Sequence, residues 1–243
     1  MKPYTNRLVF AAALLAAALP LLFSSSAAAQ DRAEEDPNAL GAHQKNFRIE
    51  AGTRVQFVSN KGLDPFAEND VLPQLALGAS WGFFASDALS IAAVAGFDYG
   101  SSTSHARSNA TSLDLRRFAL GPEARYHLLR VLALTAKVAP TLTREAAEVS
   151  TGIDSDLRSV AWKFGVDATA GAALELYGYH SGTSRKPRLW VTAEGGYGWT
   201  AAHDMVFEPI EASFAPQRLT PLELDDLSVS GPLFRITVAL SFR

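Results

Sequence analysis

The feature that most constrains this chain is an alternation of apolar and polar side chains with a period of two. It recurs eight times after Asn46, over roughly 9–13 residues each time. Side chains alternate between faces along a strand, so each run reads as a strand with one apolar and one polar face. In the first run Phe47, Ile49, Val55 and Phe57 share a face, against Arg48, Glu50, Arg54 and Gln56. The last sets Phe234, Ile236, Val238, Leu240 and Phe242 against Arg235, Thr237 and Ser241. Six similar runs lie between, beginning near Gln74, Leu89, Arg117, Leu132, Trp162 and Leu189. After Asn46 no stretch is apolar for long enough to cross a bilayer as a helix. Tilted strands of this length in a closed sheet do match a bilayer core.

The connections alternate in length. Gaps at 85–88, 127–131 and 176–188 are shorter on average than those at 58–73, 100–112, 143–158 and 201–230. An even number of strands with short turns at one end and long loops at the other predicts an all-β fold, an eight-stranded antiparallel up-and-down transmembrane β-barrel over residues 46–243.

The start of the chain supports export. Lys2 and Arg7 precede an apolar run from Leu8 to Phe23, and Ala27-Ala28-Ala29 follows, the pattern of a signal peptide over residues 1–29. Residues 30–45, with Asp31, Glu34, Glu35, Asp36 and Pro37, cannot bury a core and read as a flexible leader. Loss of Lys2 and Arg7 leaves 20 Lys+Arg against 25 Asp+Glu, a balance that offers no basic surface for nucleic acid. With no cysteine the exported domain is held by its fold rather than by disulfides.

Alternation alone does not say which face is inside, because a soluble ligand-binding barrel also alternates. Three features favour the membrane version over a soluble barrel binding an apolar ligand: aromatic girdles, strand charges nearly all on one face, and a polar face crowded with Gly, Ala, Ser and Thr. Phe47, Trp81, Phe83, Tyr126 and Phe242 fall at the ends that share the termini; Phe57, Phe97, Tyr99, Trp162, Phe164, Tyr197 and Trp199 fall at the opposite ends. Two aromatic girdles at headgroup level are the expected result. The polar face then becomes the lumen, carrying Arg48, Arg54, Arg117, Arg125, Lys137, Lys163 and Arg235 against Glu50, Asp98, Glu123, Asp167, Glu175 and Glu194. An eight-stranded interior is only wide enough to be filled by side chains, and buried charges must pair. An ion-pair network plugging the lumen is expected, with about a third of these charges hydrated at the mouths.

At this point the chain resembles the small bacterial outer-membrane barrels of the OmpA transmembrane-domain and OmpX type. The resemblance covers roughly residues 46–242 and includes the closing strand Phe234-Arg235-Ile236-Thr237-Val238-Ala239-Leu240-Ser241-Phe242. In those families an alternating last strand with an aromatic end is read by the outer-membrane assembly machinery; here Arg243 follows the aromatic residue. The resemblance implies residence in the outer membrane, with its lipid and that machinery as partners. It does not imply a specific activity.

Chemistry is hard to find. His180-Ser181 falls in a predicted turn, while His105 and His203-Asp204 fall in outer loops, and none of these spacings brings a nucleophile, a base and an orienting acid together. No spacing suggests three or four converging metal ligands, and no cofactor is expected. Gly196-Tyr197-Gly198 lies within a strand and reads as a close approach of a neighbouring strand. Segment 201–230 is the most suggestive: apolar (Met205, Val206, Phe207, Phe214), acidic (Glu208, Glu211, Glu223) and proline-rich, it reads as a self-packed lid or a surface for a ligand. A non-enzymatic barrel with structural or surface-interaction duties is the leading expectation. Alternatives are a small channel for ions or hydrophobic solutes and a lipid-modifying enzyme.

Overall fold

The computed structural model describes residues 47–67, 69–86, 88–106, 109–150, 157–177, 187–209 and 222–242. The expected signal segment and leader lie outside them. The described strands are β1 (Phe47–Phe57), β2 (Val71–Ala85), β3 (Leu89–Ala106), β4 (Asn109–Leu129), β5 (Leu132–Ser150), β6 (Leu157–Tyr177), β7 (Arg188–Thr200), β8 (His203–Pro209), β9 (Leu222–Leu227) and β10 (Gly231–Phe242). Eight of them pair antiparallel in the order β5-β4-β3-β2-β1-β10-β7-β6, and pairing of β5 with β6 closes the ring. β1 and β10 join the two ends of the barrel sequence in unbroken register from Phe47↔Phe242 to Gln56↔Leu233. Closure is what lets strands cross hydrocarbon, because every ladder donor and acceptor then has a neighbour and no edge faces lipid.

The distribution of side chains is that of a membrane protein. Leu120 is 66% exposed, Ile49 52% and Val238 47%, whereas Arg54 is 2% exposed and Arg117 fully buried. A soluble barrel shows the reverse. Hydrocarbon is the medium in which a belt of Leu, Val, Ile and Phe costs nothing, and the protein is therefore an integral membrane β-barrel, as expected of an outer-membrane protein. Both ends of the barrel segment and the ends of β2, β4 and β6 lie at one end, the one expected to face the periplasm, and the longer excursions leave the other.

The outer end differs from the sequence reading. The expected loops at 100–112 and 143–158 are largely strand: β3 and β4 continue to a connection at 107–108, and β5 and β6 rise equally far. The physical reason lies in β4. Below Phe118 its outward side chains are apolar and its inward ones include Glu123 and Arg125; above it Arg116 and Asp114 point outward while Leu115 and Leu113 are buried inside. Strand pairing continues, but the solvent changes from lipid to water, so the polarity of the two faces inverts. The first outer connection holds a 3-10 turn at Lys61–Leu63, whose N-cap Asn60 accepts a hydrogen bond from Gly62 N at 2.6 Å. The fourth contains the hairpin of β8 and β9, with β8 docked on β6 at Leu157↔Pro209 and Arg158↔Glu208. At the periplasmic end β4 runs through Leu129, so His127 lies on a strand and points inward rather than sitting in a turn.

Replacing Val238, mid-strand on the lipid face of β10, by Arg is expected to lower stability by roughly 2–4 kcal/mol. Urea titration of the protein folded in vesicles measures it. No loss would mean that this face does not meet hydrocarbon.

Candidate functional site in the barrel interior

The site is built by the inward-facing side chains, and every charge assigned to the lumen from sequence lies there. All thirteen are buried, none more than 7% exposed. The expected exposure of about a third of them at the mouths is not seen, since all thirteen are covered.

The outer closure is a hydrophobic cap. Val58, Leu63, Phe66 and Leu72 come from the first connection and the top of β2, Leu113, Leu115 and Ala147 from the raised strands, and Met205, Phe207, Leu227 and Val229 from the β8–β9 hairpin and its exit. Phe66 stacks on Phe207 with ring centroids 6.5 Å apart and planes 12° from parallel. The self-packed reading of segment 201–230 thus describes Met205 and Phe207; its residues 210–221 lie outside the described part. The periplasmic closure is Trp190, packed with Ala173 and Ala239. Its ring meets His127 edge-on at 6.3 Å and lies under the Arg125 guanidinium at 5.9 Å.

Between the closures the charges are arranged in layers. Under the cap, Arg54 on β1 reaches Asp167 on β6 at 2.5 Å and Asp98 on β3 at 3.0 Å, and Arg117 on β4 reaches the same Asp167 at 3.1 Å. Gln56 accepts from Arg54 and donates to Val229 O at 2.8 Å, tying this layer to the cap. Lys163 holds Glu145 at 2.6 Å and also donates to Leu227 O. In mid-barrel Arg235 pairs with Glu50 at 3.1 Å and Lys137 with Glu194 at 3.4 Å. Lower down, Glu123 is clasped by Arg48 and Arg125, both at 2.5 Å, and Arg48 also donates to Ser80 Oγ. At the bottom Glu175 meets Arg188 at 3.3 Å.

Several of these pairs span strands that are not ring neighbours, so they brace the wall across the lumen. Arginine suits such bracing, since its planar fork serves two carboxylates at once, as Arg54 does. Room is made by glycine. A Cβ on Gly198 would sit 2.8 Å from Asp167 Oδ1 and 3.0 Å from Arg54 Nη2, inside the network itself. On Gly196 it would meet Ala168 O at 2.1 Å, the close strand approach expected of this pair.

Sequence reasoning missed Glu145, Trp190, His127 and Arg188. Glu145 continues the parity of Lys137, Thr141 and Thr143, a signal obscured by assigning that segment to a loop. Trp190 shares parity with Thr192 and Glu194; an aromatic on a polar face was the available cue. With Glu145 included, the buried side chains named here comprise seven cations and seven anions.

The twelve residues assigned to girdles all lie on the outward face. Phe47 stands opposite both Trp81 and Phe242 at the periplasmic level, with Phe83 and Tyr126 exposed nearby. In the outer set Phe57, Tyr99, Trp162, Phe164 and Trp199 are exposed, and Phe97 and Tyr197 half-buried. Phe118 joins this set, its ring 5.1 Å from Phe97 and 6.4 Å from Trp162.

The other candidates do not assemble into reaction machinery. His105, His203 and Asp204 are exposed, and His203 and Asp204 border a cleft of about 510 Å³ with Arg158, Ser159 and Glu208. Among the described residues no hydroxyl pairs with either histidine, and no group of acidic, His or Cys side chains is placed to hold a metal ion. His43, His180 and Ser181 lie outside the described residues.

No family model and no curated protein matches the chain. Among solved structures it is similar to Ail, the attachment invasion locus protein of Yersinia pestis, at 10% identity over 81% of this chain and 97% of that one, with a TM-score of 0.40. It is similar to the N-terminal β-barrel domain of Pseudomonas aeruginosa OprF at 16% identity over 82% and 98%, with a TM-score of 0.35. A major outer membrane protein from Thermus thermophilus gives 12% identity over 81% and 99%, with a TM-score of 0.45. At these scores the likenesses carry no argument about function; the transmembrane reading rests on the apolar exterior and the charged interior described above.

Two changes test the interior. Asp167→Asn removes the carboxylate shared by Arg54 and Arg117 and is expected to cost about 3–5 kcal/mol, whereas Glu148→Gln, which breaks only the half-exposed pair with Arg158 at 3.2 Å, costs under about 1 kcal/mol. Unfolding in urea compares them directly. Phe207→Ala is expected to cost roughly 3–5 kcal/mol locally. It should speed amide exchange at the tops of β4, β5 and β8, while the exchange of the membrane belt stays as in the parent.

Proposed function

We propose that this protein is a closed, non-enzymatic outer-membrane barrel whose duties are structural and surface-directed, carried by the strands and hairpin that stand above the outer leaflet. The observation that supports this best is the filling of the lumen. Paired charges occupy it along its length, between a hydrophobic cap and Trp190, and an ion on this path would have to break buried pairs. What remains available to the exterior is the outer surface: the raised ends of β3–β6 and the acidic β8–β9 region, where a surface ligand is accommodated. The partners during biogenesis and residence are the assembly machinery and outer-membrane lipid.

The alternative, a small channel for ions or hydrophobic solutes, makes the opposite electrical prediction. Purified protein in a planar bilayer is expected to give no steady conductance steps. A cap-removal variant, such as Phe66→Ala with Phe207→Ala, should also stay silent, because the ion pairs beneath remain. Reproducible steps from the parent protein would replace the scaffold reading by the channel. A change in the lipid composition of expressing cells, lost on replacing His203, would replace it by a lipid-modifying enzyme.

A further inference from the structure

The outward face of the raised sheet carries a row that the closed-scaffold reading does not use. Reading across the register from β3 to β6, this row is Tyr99, Arg116, Arg144 and Trp162. The two arginines stand directly opposite each other on neighbouring strands, an arrangement in which like charges repel. Among the described residues neither makes an ion pair or a hydrogen bond. Asp114, the next outward residue of β4, also makes none, and Glu148 higher up is engaged by Arg158. In the lumen, by contrast, guanidinium groups are clasped by carboxylates at 2.5–3.1 Å. Among the described residues, the chain that pairs its inner cations leaves these two outer ones adjacent and without a bonded carboxylate.

Their height on the wall matters. One step below runs the row Phe97, Phe118, Leu142 and Phe164, in which Phe118 is 47% and Phe164 75% exposed. That is the top of the hydrocarbon-facing belt. One step above are Ser101, Asp114, Ala146 and Val160. Arg116 and Arg144 therefore sit at the boundary where lipid headgroups lie, between the aromatic side chains of Tyr99 and Trp162.

We infer that Arg116 and Arg144 form a binding site for the phosphate headgroup of a lipid in the outer leaflet. Two adjacent guanidinium forks match the oxygens of a phosphomonoester, and an anion between them turns their repulsion into attraction. The lipid source is favoured over a soluble anion by the aromatic row directly beneath, against which the acyl chains of the same molecule lie. The site is independent of whether the lumen conducts.

The test uses the full barrel in vesicles, with Trp162 as the lipid-facing reporter, Trp81 and Trp199 replaced by Phe, and the emission of the lumenal Trp190, 3% exposed, subtracted with a Trp162→Phe control. Quenching by brominated phosphatidic acid is compared with quenching by brominated phosphatidylcholine, each diluted in phosphatidylcholine vesicles. The site predicts a preference for phosphatidic acid of about fivefold per arginine, abolished in Arg116→Gln/Arg144→Gln and retained in Glu148→Gln/Arg158→Gln. Arg144→Lys, which keeps the charge but loses the fork, should retain part of it and serves if the double variant does not fold. Folding is verified by the shift in gel migration on heating. A preference unchanged in both arginine variants overturns the site. A preference erased by excess inorganic phosphate overturns the lipid assignment and leaves a soluble-anion site.

Discussion

A charge inside this barrel is stable only beside its opposite, and that requirement organises the molecule. Seven buried cations and seven buried anions share the interior, so each must be placed within reach of a partner, which for all but Arg125 includes one on another strand. Register does the placing. Arg54 and Asp167 are 113 residues apart in sequence, yet ring closure through β1 and β10 brings them to 2.5 Å. A slip of one residue in any strand would turn its charges into the hydrocarbon and its leucines into the lumen. The network is thus less a source of net stability than a penalty on every alternative register.

Apolar and aromatic side chains cover the network at its two ends. Phe66 and Phe207 stack across the outer opening while Trp190 occupies the inner one. Burial between them strengthens each pair electrostatically and raises the cost of parting it. The cap also explains why the outer strands extend past the membrane: Leu113 and Leu115 need an interior to pack in, and the raised wall supplies it. The same inversion of polarity brings Arg116 and Arg144 onto the exterior at the membrane boundary, so that the cap and the outer arginine row are two consequences of one change of solvent.

Much of this was legible from residue order because a strand is a simple code. Period two separated Arg48, Glu50 and Arg54 from Phe47, Ile49 and Val55 with no knowledge of neighbours, and girdle aromatics such as Trp81 and Phe164 marked the ends of the belt. The reading failed where a second solvent entered. Leu113 and Leu115 kept the alternation of β4 but reversed its meaning, and the segment looked like a loop; Glu145 disappeared with its neighbours for the same reason. Trp190 was passed over because a large apolar ring on a polar face has no local explanation, only the tertiary one of plugging a mouth.

Residue order by itself determined the eight strands of the barrel wall, the separation of their side chains into two faces and the near balance of positive and negative charge on the polar face, since these depend only on periodicity and composition. Only the tertiary structure decided which cation meets which anion, how the mouths are covered and that Arg116 and Arg144 make no ion pair among the described residues. Those outcomes depend on strand register, on ring closure and on where the bilayer ends along the wall, and these bring together groups whose separation in sequence carries no record of their proximity.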